Sequence, residues 1–238
     1  LGRLQIEVVC DLGSRDGADA LRFRDAAPTA VIFAFEAHPG NFELMRTDAR
    51  LDARRVEPVF AALSNVDGTA PFFLVDERYA PPEWGGNDAW RGMSSLHRRR
   101  DRAELLKEIE VPATRLDTFL HRRQLERARL ALWIDTEGMA YQVVEGAANV
   151  LANAQLIHVE VETTHCIGTD QKLYADVKQR LLAAGLTELA TDRSTAQVQL
   201  NALFIRWPRS AFSRAAVRFC LYAAVLRGLA GRVLRRLR

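Results

Sequence analysis

The run Val8-Val9-Cys10-Asp11-Leu12-Gly13-Ser14-Arg15-Asp16-Gly17 constrains the fold more than any other stretch of this chain. A short apolar strand meets a turn of the form Asp-x-Gly-x-x-x-Gly, and a helical pattern follows over Ala18–Ala26. Glycines there let the backbone reverse sharply and approach a ligand closely. The start of the helix offers unpaired N–H groups. The pattern differs from the G-x-G-x-x-G dinucleotide fingerprint. Acidic Asp11 stands where the first glycine would be, so it repels a pyrophosphate and suits a ligand carrying an amine or a sulfonium.

The rest of the chain repeats the alternation of apolar strand and helical pattern. Ala30–Phe35 reads as a buried strand closed by Glu36, and Asn41–Leu51 as a helix. Val56–Leu63 reads as a third strand and Gly68–Val75 as a hairpin arm. Regularity resumes at Thr114–Asp117. Leu130–Ile134 is then a strand ending in Asp135, Met139–Ala152 a helix and Leu156–Val161 a strand. Leu173–Ala184 is a helix stopped by Gly185, as a glycine C-cap does. Leu186–Leu189 and Ala202–Ile205 complete the set as antiparallel partners at one edge. Such alternation predicts parallel strands with crossover helices. Between them, 77–102 is rich in Pro, Gly, Trp and Arg, and is expected to cap the site.

Glu36 follows Gly17 by 19 residues at the end of the second strand. A carboxylate there accepts hydrogen bonds from both hydroxyls of a ribose. The two motifs together point to an adenosine-bearing ligand at the carboxyl ends of strands one and two. A third group of carboxylates, Asp135 and Glu137, lies where a later strand meets its helix. Asp135 is expected to point into the pocket, and Glu137 either to join it or to cap the helix.

Five ordered stretches resemble the FkbM-type methyltransferases. They are Asp11–Gly17, Phe35-Glu36-Ala37-His38-Pro39, Ser94-Ser95-Leu96, Leu116-Asp117-Thr118-Phe119-Leu120 and Trp133–Ala147 with its Asp135-Thr136-Glu137-Gly138 core. The resemblance implies a Rossmann-like class I methyltransferase fold over residues 1–208. In that fold a mostly parallel seven-stranded sheet with one antiparallel edge strand carries helices on both faces. It implies S-adenosylmethionine as cofactor, held by Asp11, Gly13, Ser14, Gly17, Glu36, Ala37 and Asp135. It also implies O-methylation of a sugar, glycolipid or secondary-metabolite hydroxyl. Three positions depart from the pattern: Trp133 replaces a lysine, Ala37 a proline and Ala140 an acid. The lysine's loss keeps a silent binding module as an alternative, while Asp11 argues against a nucleotide-cofactor oxidoreductase.

An alcohol acceptor needs a base for its proton. The candidates are Asp135, Glu160 and His165, with Glu162 beside them; His158, alternating within a strand, is expected in the core. Asp135 and Glu160 are also oxygen donors of the kind a divalent ion takes, but one carboxylate pair assigns no metal. The run Arg98-Arg99-Arg100 reads as a solvated surface.

Charge is unevenly placed. Residues 209–238 hold eight Arg and no acid, so the net +3 of the chain leaves −5 on residues 1–208. The basic balance belongs to a tail, and a nucleic-acid partner is not expected. That tail reads as an amphipathic helix with Phe212, Phe219, Val225 and Leu229 on its apolar face. It suits either an anionic membrane surface or docking on protein, with a homo-oligomer left open. Cys10, Cys166 and Cys220 show no metal spacing and are expected to be reduced thiols of a cytoplasmic protein, peripheral on the inner membrane face if the tail binds lipid. No run of 18 apolar residues predicts a membrane span. The first residue is Leu1, so an upstream segment, with any targeting signal, is left open.

Overall fold

The computed structural model describes residues 4–76, 78, 88–99, 103–168, 170–192 and 198–207. The basic tail at 209–238 and most of the first half of the expected cap lie outside the described residues.

Seven strands form the central sheet: β1 (Val8–Leu12), β2 (Val31–Glu36), β3 (Val56–Phe60), β7 (Leu130–Ile134), β8 (Ala154–Glu162), β9 (Thr187–Thr191) and β10 (Gln199–Ile205). Their spatial order is β3-β2-β1-β7-β8-β10-β9. The first five run parallel, and β10 lies antiparallel to both β8 and β9. The last of the described strands is therefore inserted one place in from the edge. Strand order reverses between β1 and β7, which opens a crevice at their carboxyl ends.

Side chains alternate across this sheet. Cys10, Leu12, Phe33, Phe35, Leu132, Ile134, Ile157 and Val159 pack on one face under α4 (Leu116–Arg122), α5 (Ala140–Gly146) and α6 (Tyr174–Ala183). Val9, Ile32, Ala34 and Met45 pack on the other under α1 (Ala18–Ala26), α2 (Pro39–Thr47) and α3 (Ala49–Ala53). Burial on both faces explains why the central strands read as continuous apolar runs.

Several elements divide where one was expected. The helix over Asn41–Leu51 breaks at Asp48, whose extended backbone ends α2 and whose carboxylate caps α3 through Arg50 N–H. The strand over Val56–Leu63 breaks at Ala61: β3 stays in the main sheet, and β4 (Ala62–Leu63) pairs with β6 (Leu106–Thr114) instead. The helix over Met139–Ala152 stops at Gly146 and resumes as a 3-10 turn at Val150–Asn153. A Cβ on Gly146 would lie 2.0 Å from the Ser64 carbonyl oxygen, so the helix end packs flush against β4's exit.

Gly68–Val75 is β5, the expected hairpin arm, and its partner is β6 along eight residue pairs. The described part of the 77–102 segment runs back along this hairpin, where Phe73 and Ser95 exchange both backbone hydrogen bonds at 2.8 and 3.3 Å. This arm leans over the crevice between β1 and β7. No helix among the described residues is long and apolar enough to cross a membrane.

Candidate active site

A cleft of about 550 Å³ opens at the carboxyl ends of β1, β2 and β7. Its floor is Gly13, Glu36, Ala37 and Asp135; its apolar wall is Phe35, Ala61, Ala62, Leu63 and Phe72; its roof is Arg91–Leu96 of the arm.

The Gly turn is built by its own side chains. Asp11 is 1% exposed and accepts the Ser14 hydroxyl at 2.6 Å. Burial, opposed by that hydrogen bond, pushes its carboxyl up to about 7. Gly13 N–H and Ser14 N–H both donate to the Phe35 carbonyl, at 3.1 and 2.8 Å. Gly17, at φ +76°, packs against Leu51. So of the residues expected at the cofactor, Gly13, Glu36, Ala37 and Asp135 line the cleft. Asp11, Ser14 and Gly17 do not: they brace the turn from behind, because Asp11 alternates with Cys10 and Leu12 toward the α1 side.

Glu36 is 7% exposed. One carboxylate oxygen accepts Arg15 N–H at 2.7 Å and the other accepts His38 N–H at 2.7 Å. Ala37 N–H and the Asn41 side chain add further hydrogen bonds to the same carboxylate. Burial pushes the carboxyl up to about 6, against the backbone donors that hold it down. His38 also caps α2, its Nδ1 accepting Gly40 N–H at 3.1 Å, with Pro39 beginning the helix.

Beyond the end of β7, oxygens of Asp135, Glu137 and Glu160 lie within 4.8 Å of one another. Burial, with the charge of Glu162 adding, holds Asp135 above the ordinary carboxylate range although a hydrogen bond with Glu160 opposes it; burial, with the charges of Asp135, Glu137 and Glu162 adding, raises Glu160. Glu137 does not cap α5, whose N-cap is Met139 with no side-chain bond. It pairs with Arg99 at 2.6 Å instead. Carboxylates so spaced suit a hard cation, but the Arg99 guanidinium already compensates Glu137, and no metal is assigned.

His165 does not reach the cleft. Past Glu162 the chain turns outward, leaving Thr163 to Cys166 exposed. Trp133, standing where the resembling family has lysine, is also absent from the cleft lining. It stacks on half-buried His158, with centroids 3.5 Å apart and planes at 10°, and leans on Phe23 at 5.3 Å. Burial drives the His158 imidazole down to about 4. The departure at 133 thus leaves the cleft lining untouched, and with it goes the reason for a silent module.

Arg15, Phe72, Arg91 and Ser95 are cleft residues that the strand-end reasoning missed. Only Ser95 carried a signal, as part of Ser94-Ser95-Leu96.

A reversed strand order at β1/β7, an acid-bearing glycine turn, a carboxylate ending β2 and β10 inserted antiparallel define the class I methyltransferase architecture. The family model described as "Methyltransferase FkbM domain" matches residues 11–186, and the chain belongs to that family. It is similar to 2-O-methyltransferase NoeI of Sinorhizobium fredii (strain NBRC 101917 / NGR234), at 28% identity over 168 residues. That stretch covers 70% of this chain and 65% of NoeI. Solved structures similar to it include Aeropyrum pernix fibrillarin in complex with S-adenosyl-L-methionine, at 13% identity and TM-score 0.47 over 84% of this chain and 66% of that one. Another is precorrin-6y C5,15-methyltransferase from Geobacter metallireducens GS-15, at 13% identity and TM-score 0.43 over 85% and 82%. The fold class rests on the strand order given above.

Proposed function

We propose that this protein is an S-adenosylmethionine-dependent O-methyltransferase acting on a sugar hydroxyl, free or lipid-linked. The observation that carries the reading is Glu36. Its carboxylate is buried, is fixed by the Arg15 and His38 N–H groups, and shares one cleft with Gly13 and Asp135. The cleft lining fits the cofactor: Glu36 would hold the ribose hydroxyls, the Ala61–Leu63 and Phe72 wall would take the adenine, and the acids beyond β7 would face the cationic end. When bound, the cofactor supplies a sulfonium methyl group open to in-line displacement.

Asp135 is the base. It would take the proton of the acceptor hydroxyl, freeing the oxygen lone pair to accept the methyl group that a bound cofactor would supply, with a thioether as the leaving group. A raised proton affinity suits an acid that must gain a proton near neutral pH. Glu160, in the same cluster, shares the proton, and the pair titrates as a unit. Positioning of donor and acceptor beneath the arm supplies much of the remaining rate. The 2-O-methyltransferase activity in NoeI's name supports oxygen as the methylated atom. The basic pattern of 209–238 supports contact with anionic lipid, where lipid-linked acceptors reside.

Calorimetric titration with S-adenosylhomocysteine tests the reading. Wild type should bind, and Glu36→Ala should bind at least about 30-fold more weakly, as expected for losing charge-assisted hydrogen bonds. Equal binding by both removes Glu36 from the site. Labelled S-adenosylmethionine with a panel of methyl glycosides then identifies the acceptor.

A further inference from the structure

The Ser94-Ser95-Leu96 motif has a structural role that leads to Arg99. Ser94 Oγ accepts Val75 N–H at 3.1 Å, and Ser95 pairs with Phe73 through the backbone. Ser95 Oγ then accepts His97 N–H at 3.0 Å and donates to the Glu137 carbonyl at 2.6 Å. The motif therefore pins the returning arm to β5 on one side and to the turn after β7 on the other. Three residues past the motif, Arg99 Nε donates to the Met93 carbonyl at 3.0 Å, which fixes the guanidinium. Its Nη2 donates to Glu137 at 2.6 Å, with the two side chains 9% and 19% exposed.

Resting on the methyl transfer proposed above, we infer that Arg99 is a positioning residue. It holds the Glu137 carboxylate oriented against the Asp135–Glu160 pair, so the catalytic carboxylates are assembled only when the arm is seated. A buried ion pair of this geometry is costly to break from one side, because it leaves an uncompensated charge. The backbone adds to the constraint. Glu137 sits at φ +44° and Gly138 at +88°, a bend the arm holds closed through Ser95.

The charges around Glu137 set the consequence of removing Arg99. Asp135 faces it from its own turn, Glu162 and Glu160 from β8, and half-buried His97 lies nearby on the arm. Among the described residues, Arg99 is the cation paired with Glu137, and Arg15 adds positive charge toward Asp135. Burial already lifts Glu137 to about 7 with Arg99 in place. Without it the carboxyl's proton affinity rises further, and Glu137 loses the donor that orients it.

Two readouts test this on the full chain. Carboxyl ¹³C NMR of glutamate-labelled protein, saturated with S-adenosylhomocysteine, follows Glu137 in wild type, Arg99→Lys and Arg99→Met. The Met variant should titrate at least one pH unit higher, as expected for loss of a buried opposite charge, and the Lys variant should fall between. Transfer to methyl glycosides should drop at least about 30-fold in kcat for Arg99→Met, with acceptor KM within about threefold and cofactor binding retained. Glu137→Gln should cost a similar factor, and the double variant should cost no more than either single one. An unmoved Glu137 titration, a wild-type kcat in Arg99→Met, additive losses, or a Lys variant no better than Met each overturns the inference. Failure of wild type to bind S-adenosylhomocysteine would instead sink the methyltransferase reading, so the two failures are distinguishable.

Discussion

A Cβ placed on Gly13 would lie 1.7 Å from the carbonyl oxygen of Asp135. The glycine turn after β1 and the acid turn after β7 are thus in backbone contact, and Asp135 N–H donates to the Leu12 carbonyl at 2.9 Å beside them. Any side chain at 13 must push the two turns apart, and φ +89° strains it further. Gly13→Ala should therefore lower unfolding free energy by at least about 2 kcal/mol in urea titrations. Cofactor binding should weaken with it, since Asp135 and the turn cannot keep their places. A variant with wild-type midpoint and affinity would show that the turns are loosely packed.

Asp117 is the polar tie of the α5 region. It is 8% exposed, and it accepts Asn149 N–H, Asn149 Nδ2 at 2.9 Å and Val150 N–H at 3.0 Å, while pairing with Arg115 at 3.2 Å. These bonds cap the 3-10 turn where α5 has been interrupted. Asp117→Ala leaves buried donors unsatisfied and should cost about 2–4 kcal/mol. The residue is remote from the cleft, so S-adenosylhomocysteine affinity below the unfolding transition should stay within about twofold of wild type, a free-energy change of under 0.5 kcal/mol. A loss of affinity without a loss of stability would place Asp117 in the binding machinery.

The sequence was most legible where local pattern and tertiary role coincide. Val8–Leu12, Val31–Glu36 and Leu130–Ile134 are buried on both faces, so their apolar runs announce them. Glu36 and Asp135 line the cleft as a carboxylate at a parallel strand's carboxyl end is expected to. Residues such as Arg99 were hidden because their partners are distant in sequence. The 38 positions separating it from Glu137 carry no periodicity, and Arg98-Arg99-Arg100 looks like solvated surface. β6 was overlooked for a related reason: Leu106–Thr114 alternates charged and apolar residues over a short span and contains Pro112, a residue strands admit mainly at edges. Asp11 was placed in the cleft because its direction depends on strand parity, and parity is visible only once the turn's bonds are known.

Trp133 offers a direct test of a family departure. Its ring lies flat on His158 and against Phe23, outside the cleft lining. Trp133→Lys, restoring the residue of the resembling pattern, removes both ring contacts. Stability should fall by about 1–3 kcal/mol from lost aromatic packing. S-adenosylhomocysteine affinity should change by less than about threefold, or 0.7 kcal/mol. A gain in transfer rate in this variant would show that position 133 reaches the chemistry after all.

Glu36 sets the acid limit of cofactor binding. Its carboxyl sits near 6 because burial outweighs the backbone donors that favour the charged form. The charged form is the one that accepts two ribose hydroxyls, so a bound ligand favours ionisation and draws the carboxyl's proton affinity down. By linkage, affinity should be nearly constant above about pH 7 and fall as pH drops through 6, approaching tenfold per unit below it. Protonation would also take one oxygen away from Arg15 N–H or His38 N–H, which loosens the turn at the same pH. Glu36→Gln removes this titrating group: its affinity should be lower at pH 7.5 and should fall less steeply than wild type from pH 7 to 5, the remaining slope belonging to Asp135 and Glu137. Calorimetric titrations of both proteins across that range decide the matter, since a wild-type curve as flat as the variant's would mean that another group supplies the ribose contacts.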